Sequence, residues 1–115
     1  MRPLSYARAS AVEDAIALVA ADPAGAFLAG GTTEVDLIRA GVSGTELLVD
    51  INELPLGGVE ETAGGGLRIG ALARMSDVAR TPVVMDRFPA ISRALEEVAA
   101  EARHVAKLRR RRAPQ

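Results

Sequence analysis

The segment LAGGTTEVDL, Leu28 to Leu37, has the residue types that a phosphate-binding loop requires. It places two glycines and two threonines between a predicted buried strand and the first turn of a predicted helix. Glycine lets the backbone come within hydrogen-bond distance of a phosphate oxygen, and consecutive amides form a concave set of donors. A helix N-terminus adds partial positive charge, and threonine hydroxyls add further donors. The pattern therefore predicts an anion site.

The same segment is also typical of a strand-to-helix turn that has a threonine cap and binds no ligand. Glu34 and Asp36 favour this alternative, because acidic side chains in the first turn compete with an anion for the same amides. Neither common phosphate motif is present, since there is no GxGxxG and no lysine follows the glycines as in a P-loop. ATP hydrolysis is therefore disfavoured.

Other kinds of catalytic site have little support in the sequence. Cysteine is absent, which excludes disulfides, iron-sulfur ligation and thiolate zinc sites, so a redox role requires an organic cofactor. The single histidine, His104, lies beside basic residues in a predicted surface helix and is interpreted as solvent-facing. Neighbouring carboxylates point in different directions and are interpreted as solubilising charges. These pairs are Glu13 with Asp14, Glu60 with Glu61, and Glu96 with Glu97.

Two helices and two strands are predicted around the glycine segment. Ser10 with Glu13 has capping-box spacing ahead of an apolar stripe, and Thr33 with Asp36 repeats that spacing. Short apolar runs on either side of the second helix predict buried strands, and a strand, helix, strand order favours parallel pairing. The elements are a helix at residues 11–21, the first strand of the core at 26–29, a helix ending near Gly41, and a strand at 47–51 followed by a turn at Asn52 and Pro55.

The second half of the chain predicts a hairpin and then helices. Two extended segments, residues 59–62 and 67–71, flank a glycine-rich turn at 63–66 that is interpreted as a hairpin tip rather than an anion site. Ser76 is predicted to cap a short helix through Arg80, and Thr81 with Pro82 begins another. From Pro89 a helix of about 16 residues is predicted, because apolar residues recur at steps of four and three. That stripe consists of Ile91, Leu95, Val98, Ala102 and Val105.

Composition predicts one globular unit, because 115 residues with 49% hydrophobic and 25% charged side chains provide one modest core. There is no membrane-spanning run and no signal peptide, so a cytoplasmic location without membrane association is expected. Six of the 14 basic residues lie in residues 103–112, which leaves eight basic against fifteen acidic groups in residues 1–102. The basic end lacks interleaved aromatics or a recognised module, which argues against nucleic-acid binding and for a solvated terminus.

Four segments, in this order and spacing, resemble a known family. They are RPLSYARASAVEDAIALVA, FLAGGTTEVDLIRAG, LLVDINELPL and GGLRIGALARMSDVA. Together they are similar to the FAD-binding (medium) subunit of xanthine dehydrogenase and carbon monoxide dehydrogenase-type molybdenum hydroxylases, over about residues 1–100. The resemblance implies an α/β fold, with a small sheet, a parallel strand-helix-strand core and flanking helices. This is the N-terminal subdomain of a two-subdomain FAD-binding fold, placed at residues 1–102, with residues 103–115 as a basic C-terminal tail.

The resemblance also implies a cofactor, FAD, whose pyrophosphate the diglycine segment binds. The residues assigned to the cofactor site are Leu28, Ala29, Gly30, Gly31, Thr32, Thr33, Glu34 and Val35. The segment Ile69 to Ala71 is expected to close a strand of the same subdomain. The expected partners are a large subunit with the molybdenum cofactor and a small subunit with 2Fe–2S clusters. Electrons would pass from those clusters through FAD to an acceptor such as NAD or a quinone, and no independent catalysis is expected.

Two departures from the family pattern are visible. Thr33 stands where the family often has asparagine or aspartate, a change that retains a capping oxygen. After Ala100 the family continues with a second flavin loop resembling RNMATVGGN, whereas this chain has EARHVAKLRRRRAPQ. This suggests a truncated or frame-shifted product with weakened FAD binding. The alternative function is a small interaction module, or remnant, that docks on partner subunits without flavin.

Overall fold

The computed structural model describes residues 3–112, apart from the side chains of Arg109, Arg111 and Arg112. The chain divides into two compact units, Met1–Pro55 and Leu56–Gln115. The first unit contains β1 (Ser5–Arg8), α1 (Val12–Ala21), β2 (Gly25–Leu28), α2 (Glu34–Arg39) and β3 (Leu47–Asp50). The second contains β4 (Val59–Glu61), β5 (Leu67–Ile69), α3 (Met75–Arg80), α4 (Pro82–Arg87) and α5 (Pro89–Arg112).

The first unit is built on a three-stranded parallel sheet with the order β1-β3-β2. β3 pairs in parallel with both neighbours, so that Val49 lies opposite Ala7 on one side and Phe27 on the other. Leu48 and Val49 are successive residues and both are buried, as expected for a central parallel strand covered on both faces. The helix α1 packs against β2 and β3. The predicted parallel strand-helix-strand core is therefore confirmed.

The first strand of this sheet was not predicted, because the segment SYAR has only four residues and its polar and apolar residues do not alternate. The strand predicted at residues 26–29 is thus the second in the chain and lies at a sheet edge, displaced by one residue. Strands this short lack enough residues for a period-two pattern to stand out from a loop. The pairing with β3, about 40 residues later, supplies what the local sequence does not.

The predicted capping boxes are wrong, although the helices are present. Ala11 is the residue before α1, its backbone is extended, and it makes no side-chain capping bond. The chain stays extended here because the Ala9 amide donates to the Asp50 carbonyl at 3.0 Å, which continues the β1 pairing. Ser10 lies too early to cap α1 and donates instead to the Asp14 carboxylate at 2.6 Å. Thr33 does precede α2, but its side chain makes no capping bond.

In the second unit, β4 and β5 form the predicted antiparallel hairpin, and β5 ends at Ile69. The turn closes through the Thr62 amide and the Gly66 carbonyl at 2.8 Å, as expected for a hairpin tip. The helices α3, α4 and α5 pack on one another, with Val84 fully buried. The cap assigned to Ser76 is wrong, because α3 begins one residue earlier at Met75 and Arg74 precedes it. Pro82 lies in the first turn of α4, as predicted, but the cap assigned to Thr81 is wrong, because its hydroxyl donates to the Asp77 carbonyl at 2.8 Å and makes no capping bond.

The last helix is longer than predicted. α5 has 24 residues rather than about 16, and it includes residues 103–112 of the predicted basic tail. Alanine, leucine, arginine and glutamate are strong helix formers and run to its end, while basic residues near the C-terminus suit the helix dipole. Residues 113–115 of the predicted tail lie outside the described residues. None of the helices described in residues 3–112 has the length and apolar character needed to cross a membrane.

Candidate functional site

The predicted glycine loop lies where β2 ends and α2 begins, at the carboxyl edge of the parallel sheet. β2 ends at Leu28 and α2 begins at Glu34, so residues 29–33 form the connection, which we call the diglycine loop. In α/β sheets, ligands bind outside the carboxyl ends of parallel strands. The structure therefore brings all eight predicted site residues together as one strand-loop-helix segment on this edge.

The backbone of the diglycine loop presents a run of unpaired donors. Gly31 has φ +75°, in the left-handed region that favours glycine, and its carbonyl accepts from the Val35 amide at 3.1 Å. The amides of residues 30 through 34 donate no hydrogen bond to any group within residues 3–112. Consecutive amides without a protein acceptor are the donor set that an anion requires.

The two glycines have different surroundings. A Cβ built on Gly30 would meet no heavy atom within 4 Å, so this residue faces open space. A Cβ on Gly31 would lie 3.2 Å from Leu28 Cδ1 and 3.4 Å from Val35 Cγ2. Gly30 thus leaves room for a ligand to approach the backbone, whereas Gly31 is packed between the last residue of β2 and the first turn of α2.

The threonines and Glu34 contribute in different ways. Thr32 and Thr33 are exposed, and within the described part of the chain neither hydroxyl makes a hydrogen bond. The Glu34 carboxylate accepts from Thr45 Oγ1 at 2.6 Å and from Ser43 Oγ at 2.8 Å. These hydroxyls, Thr45 more than Ser43, lower the pKa of Glu34 below its ordinary value. The carboxylate is thus bound to the connection between α2 and β3, which reduces its competition for the loop amides.

A polar cluster beside the loop was not predicted as part of the site. Asn52 Nδ2 donates to the Ala29 carbonyl at 2.8 Å and to Asp50 Oδ1 at 2.8 Å. The Asn52 amide also donates to Asp50 Oδ1, at 2.9 Å, and the Tyr6 hydroxyl donates to Asp50 Oδ2. The Tyr6 hydroxyl first, and then the two Asn52 donors, lower the pKa of Asp50. The sequence indicated only a turn at Asn52, and the order β1-β3-β2 is needed to see that these residues meet the loop.

The single histidine and the neighbouring carboxylates lie on the surface, as predicted from the sequence. His104 is exposed on α5, and three of the paired carboxylates make exposed or partly exposed ion pairs with arginines. Those pairs are Glu60 with Arg68, Glu61 with Arg87, and Glu96 with Arg80. Within residues 3–112 no group of three or more histidine, aspartate or glutamate side chains could hold a metal ion.

Comparison with known proteins identifies the family. A model of the FAD binding domain in molybdopterin dehydrogenase matches residues 2–107, which is most of the chain. The chain belongs to this family. The predicted family resemblance is confirmed, and so is FAD as its cofactor, because the family and its relatives are FAD-binding proteins.

Individual relatives agree with this assignment. The aldehyde oxidoreductase FAD-binding subunit PaoB of Escherichia coli (strain K12) is 37% identical over 95 residues, covering 83% of this chain and 30% of that protein. The glyceraldehyde dehydrogenase medium chain of Sulfolobus acidocaldarius is 27% identical over 94 residues, covering 82% of this chain and 34% of that protein. The chain thus spans about a third of the length of these relatives. Their names describe components of multi-subunit enzymes.

The fold is confirmed by solved structures. Carbon monoxide dehydrogenase from Hydrogenophaga pseudoflava, in a form that lacks the Mo-pyranopterin moiety of the molybdenum cofactor, superposes with a TM-score of 0.73 at 28% identity. That match covers 82% of this chain and 33% of the other. Quinoline 2-oxidoreductase from Pseudomonas putida 86 has the same fold, with a TM-score of 0.75 at 24% identity. The predicted α/β class is therefore correct.

Proposed function

We propose that the diglycine loop and its flanking residues bind the pyrophosphate of FAD. The observation that carries this proposal is the run of amides at residues 30–34, which have no acceptor within the described chain and lie at the carboxyl edge of a parallel sheet. When bound, FAD accepts and releases electrons at its isoalloxazine ring. The residues of the diglycine loop fit the negatively charged pyrophosphate of FAD rather than its isoalloxazine ring.

Each of the eight residues has a defined part in the proposal. The backbone of Gly30, together with the amides that follow it, donates to phosphate oxygens, and Thr32 and Thr33 add their hydroxyls. Glu34 contributes its amide, because its carboxylate is already bound to Thr45 and Ser43. Leu28 and Val35 lie against the position that a Cβ of Gly31 would take, while Ala29 accepts from Asn52 through its carbonyl.

We further propose that the chain serves an oxidoreductase complex. By family resemblance, the small partner subunit carries 2Fe–2S clusters and the large one carries the molybdenum cofactor. In that arrangement electrons pass from the clusters to FAD and then to an acceptor, and substrate oxidation takes place in the large subunit. The subunit and medium-chain names of the relatives support this part of the proposal. The cytoplasmic location remains a prediction from the sequence.

The test of the loop is a titration of the 115-residue chain with FAD, followed by flavin fluorescence. Gly30→Val fills the open space above the loop, and Gly44→Val is its matched control because a Cβ there also meets nothing within 4 Å. Loss of even one or two charge-assisted hydrogen bonds, at about 1.5 to 3 kcal/mol each, weakens binding more than tenfold. We expect that loss for Gly30→Val and a change of less than about twofold for Gly44→Val.

Two results would contradict the loop assignment. Equal FAD affinity in wild type and Gly30→Val would place the pyrophosphate elsewhere. Failure of the folded wild-type chain to bind either FAD or ADP, which contains the same pyrophosphate, would mean that the diglycine loop of this chain does not bind the pyrophosphate.

The exposed apolar residues of α5 favour a second function, docking on partner subunits without flavin. Val98, Ala102 and Val105 line an open groove on this helix. Val98 and Val105 are 51% and 42% exposed. Apolar residues adjacent in a groove are typical of surfaces that other proteins cover. Co-purification of a colourless chain with a molybdenum or iron-sulfur subunit would support this function, and loss of that association on changing Val98 to Asp would locate it.

A further inference from the structure

We infer that Asn52 is a positioning residue that orients the Gly30 amide toward the phosphate. The inference rests on the proposed function of the diglycine loop. Asn52 lies two residues after β3, and through one carboxamide nitrogen it joins the loop carbonyl of Ala29 to the Asp50 carboxylate, with both bonds at 2.8 Å. Asn52 is not among the eight residues assigned to the site.

The inference depends on the geometry of one peptide group. The Ala29 carbonyl and the Gly30 N–H belong to the same planar unit, and they point in opposite directions because the peptide is trans. A donor that holds the carbonyl therefore fixes the direction of the N–H. The Gly30 amide belongs to the unpaired run, and Gly30 is the glycine that faces open space. Donation to the carbonyl also polarises the peptide, which strengthens the N–H as a donor.

Asn52 is itself held by the sheet. Its own amide donates to Asp50 Oδ1, and the Tyr6 hydroxyl on β1 binds the other oxygen of that carboxylate. The Ile51 amide donates to the Leu28 carbonyl at 3.0 Å, which fixes the end of β2 against the end of β3. The connection from Tyr6 through Asp50 and Asn52 to Ala29 thus crosses all three strands. A glycine loop, which is flexible by itself, is held in one orientation by this connection.

The first experiment compares the FAD and ADP affinities of the wild-type 115-residue chain with those of Asn52→Leu. This change keeps the side-chain size and removes the side-chain hydrogen bonds to Ala29 and Asp50. Loss of the hydrogen bond to Ala29 weakens binding of both ligands by about fivefold to tenfold. Glu53→Gln is the matched control, because Glu53 is the next residue and pairs with Arg8 rather than with the loop. We expect that control to bind FAD as wild type does. Tyr6→Phe, which acts one step farther away, should weaken binding by about twofold.

A second measurement separates positioning from a general loss of stability. In a Gly30→Val background, where the approach to Gly30 is already blocked, Asn52→Leu should cause no further loss of affinity, because both changes act on the same donor. In the ligand-free protein, the ¹⁵N heteronuclear NOE of Gly30 and Gly31 should fall in Asn52→Leu, while those of β2 and β3 remain at the wild-type value.

The outcomes distinguish this inference from the proposed function. If wild type binds FAD and Asn52→Leu binds it equally well with unchanged glycine NOEs, the role of Asn52 is overturned while the loop assignment stands. If wild type binds neither FAD nor ADP, the proposed function fails. The NOE comparison then decides on its own whether Asn52 orders the loop, and unchanged values would overturn the inference.

Discussion

The carboxyl edge of the sheet and the apolar face of α5 are both exposed, but they are organised in opposite ways. At the sheet edge, polar side chains from β1, from β3 and from the residues after it bind one another and the loop. On α5, Val98, Val105 and Leu108 are 51%, 42% and 44% exposed, and they form no comparable set of mutual bonds. The loop at the sheet edge is held by specific polar partners, whereas the exposed apolar face of α5 has no described partner and continues as a helix because its residues are strong helix formers.

This difference shows what each kind of pattern specifies. The strong helix formers of α5 are sufficient to continue a helix, but an apolar stripe does not itself indicate what the stripe packs against. The loop, by contrast, has little intrinsic preference, because two consecutive glycines allow many conformations. It needs Asn52, Val35 and Leu28 to select one of them. The following changes test this contrast, beginning with the largest expected effect.

Gly31→Val should damage the sheet edge most. A β-branched residue at φ +75° is strained by about 1 to 2 kcal/mol or more, and its Cβ would also press on Leu28 and Val35. We expect the free energy of unfolding to fall by about 2 to 3 kcal/mol and FAD affinity to fall more than tenfold. Urea unfolding and the fluorescence titration measure the two effects.

Gly41→Val provides the matched control for that change. Gly41 has a similar φ of +71°, but a Cβ there meets nothing within 4 Å. It should lower stability by about 1 to 2 kcal/mol through backbone strain alone and leave FAD affinity unchanged. If the two variants behaved alike in both assays, the closeness of Leu28 and Val35 to the added Cβ at position 31 would have no effect.

Val84→Ala and Val98→Ala compare a buried and an exposed valine of the second unit. Val84 is fully buried, so its truncation removes apolar contacts and leaves a cavity, at about 2 kcal/mol. Val98 is half exposed on α5, and alanine is the better helix former, so stability should change by less than about 0.5 kcal/mol. Chemical unfolding of both variants is the measurement. An equal loss in the two would show that the α5 face is buried in solution.

The smallest effect concerns acid and the Glu34 carboxylate. Hydroxyls of Thr45 and Ser43 lower the folded-state pKa of Glu34 below its ordinary 4.5. The ionised carboxylate therefore contributes to the free energy of unfolding above that pH. That contribution is lost as the pH falls through the lowered folded-state pKa. Thr45→Val should therefore show less loss of melting temperature than wild type between about pH 5 and pH 3. Thr33→Val, which removes a hydroxyl without a described partner, should retain the wild-type acid sensitivity.

Much of the fold could be predicted from local patterns, because the elements concerned have clear signals. The apolar run at residues 47–51 predicted a buried strand, which the structure has at Leu47–Asp50, and the glycine-rich turn between β4 and β5 predicted a hairpin. The strand β1 could not be predicted, since four residues of mixed polarity become a strand only by pairing with β3. The capping box at Ser10 was wrong because the same pairing keeps the chain extended past it.

The candidate site divides in the same way. The glycines and threonines between a strand and a helix predicted an anion site or a ligand-free turn, and the family resemblance assigned residues 28–35 to the cofactor. The structure has these residues at the end of β2, in the diglycine loop and at the start of α2. Asn52 was not predicted, because a D-x-N sequence after a strand indicates a turn and carries no sign of the carbonyl, 23 residues earlier, that it binds. Spatial neighbours at the end of parallel strands become visible only when the strand order is known.

The order of the strands has a consequence for how the chain acquires its structure during synthesis. The central strand of the sheet, β3, is the last of the three to leave the ribosome, so β1 and β2 have no partner until Leu47–Asp50 has emerged. Pairing of β1 with β3 closes a loop of about 40 residues, which is a slow kind of step. Asn52 lies two residues after β3. The glycine loop is made early, and it acquires its orientation only when the last strand inserts between the other two.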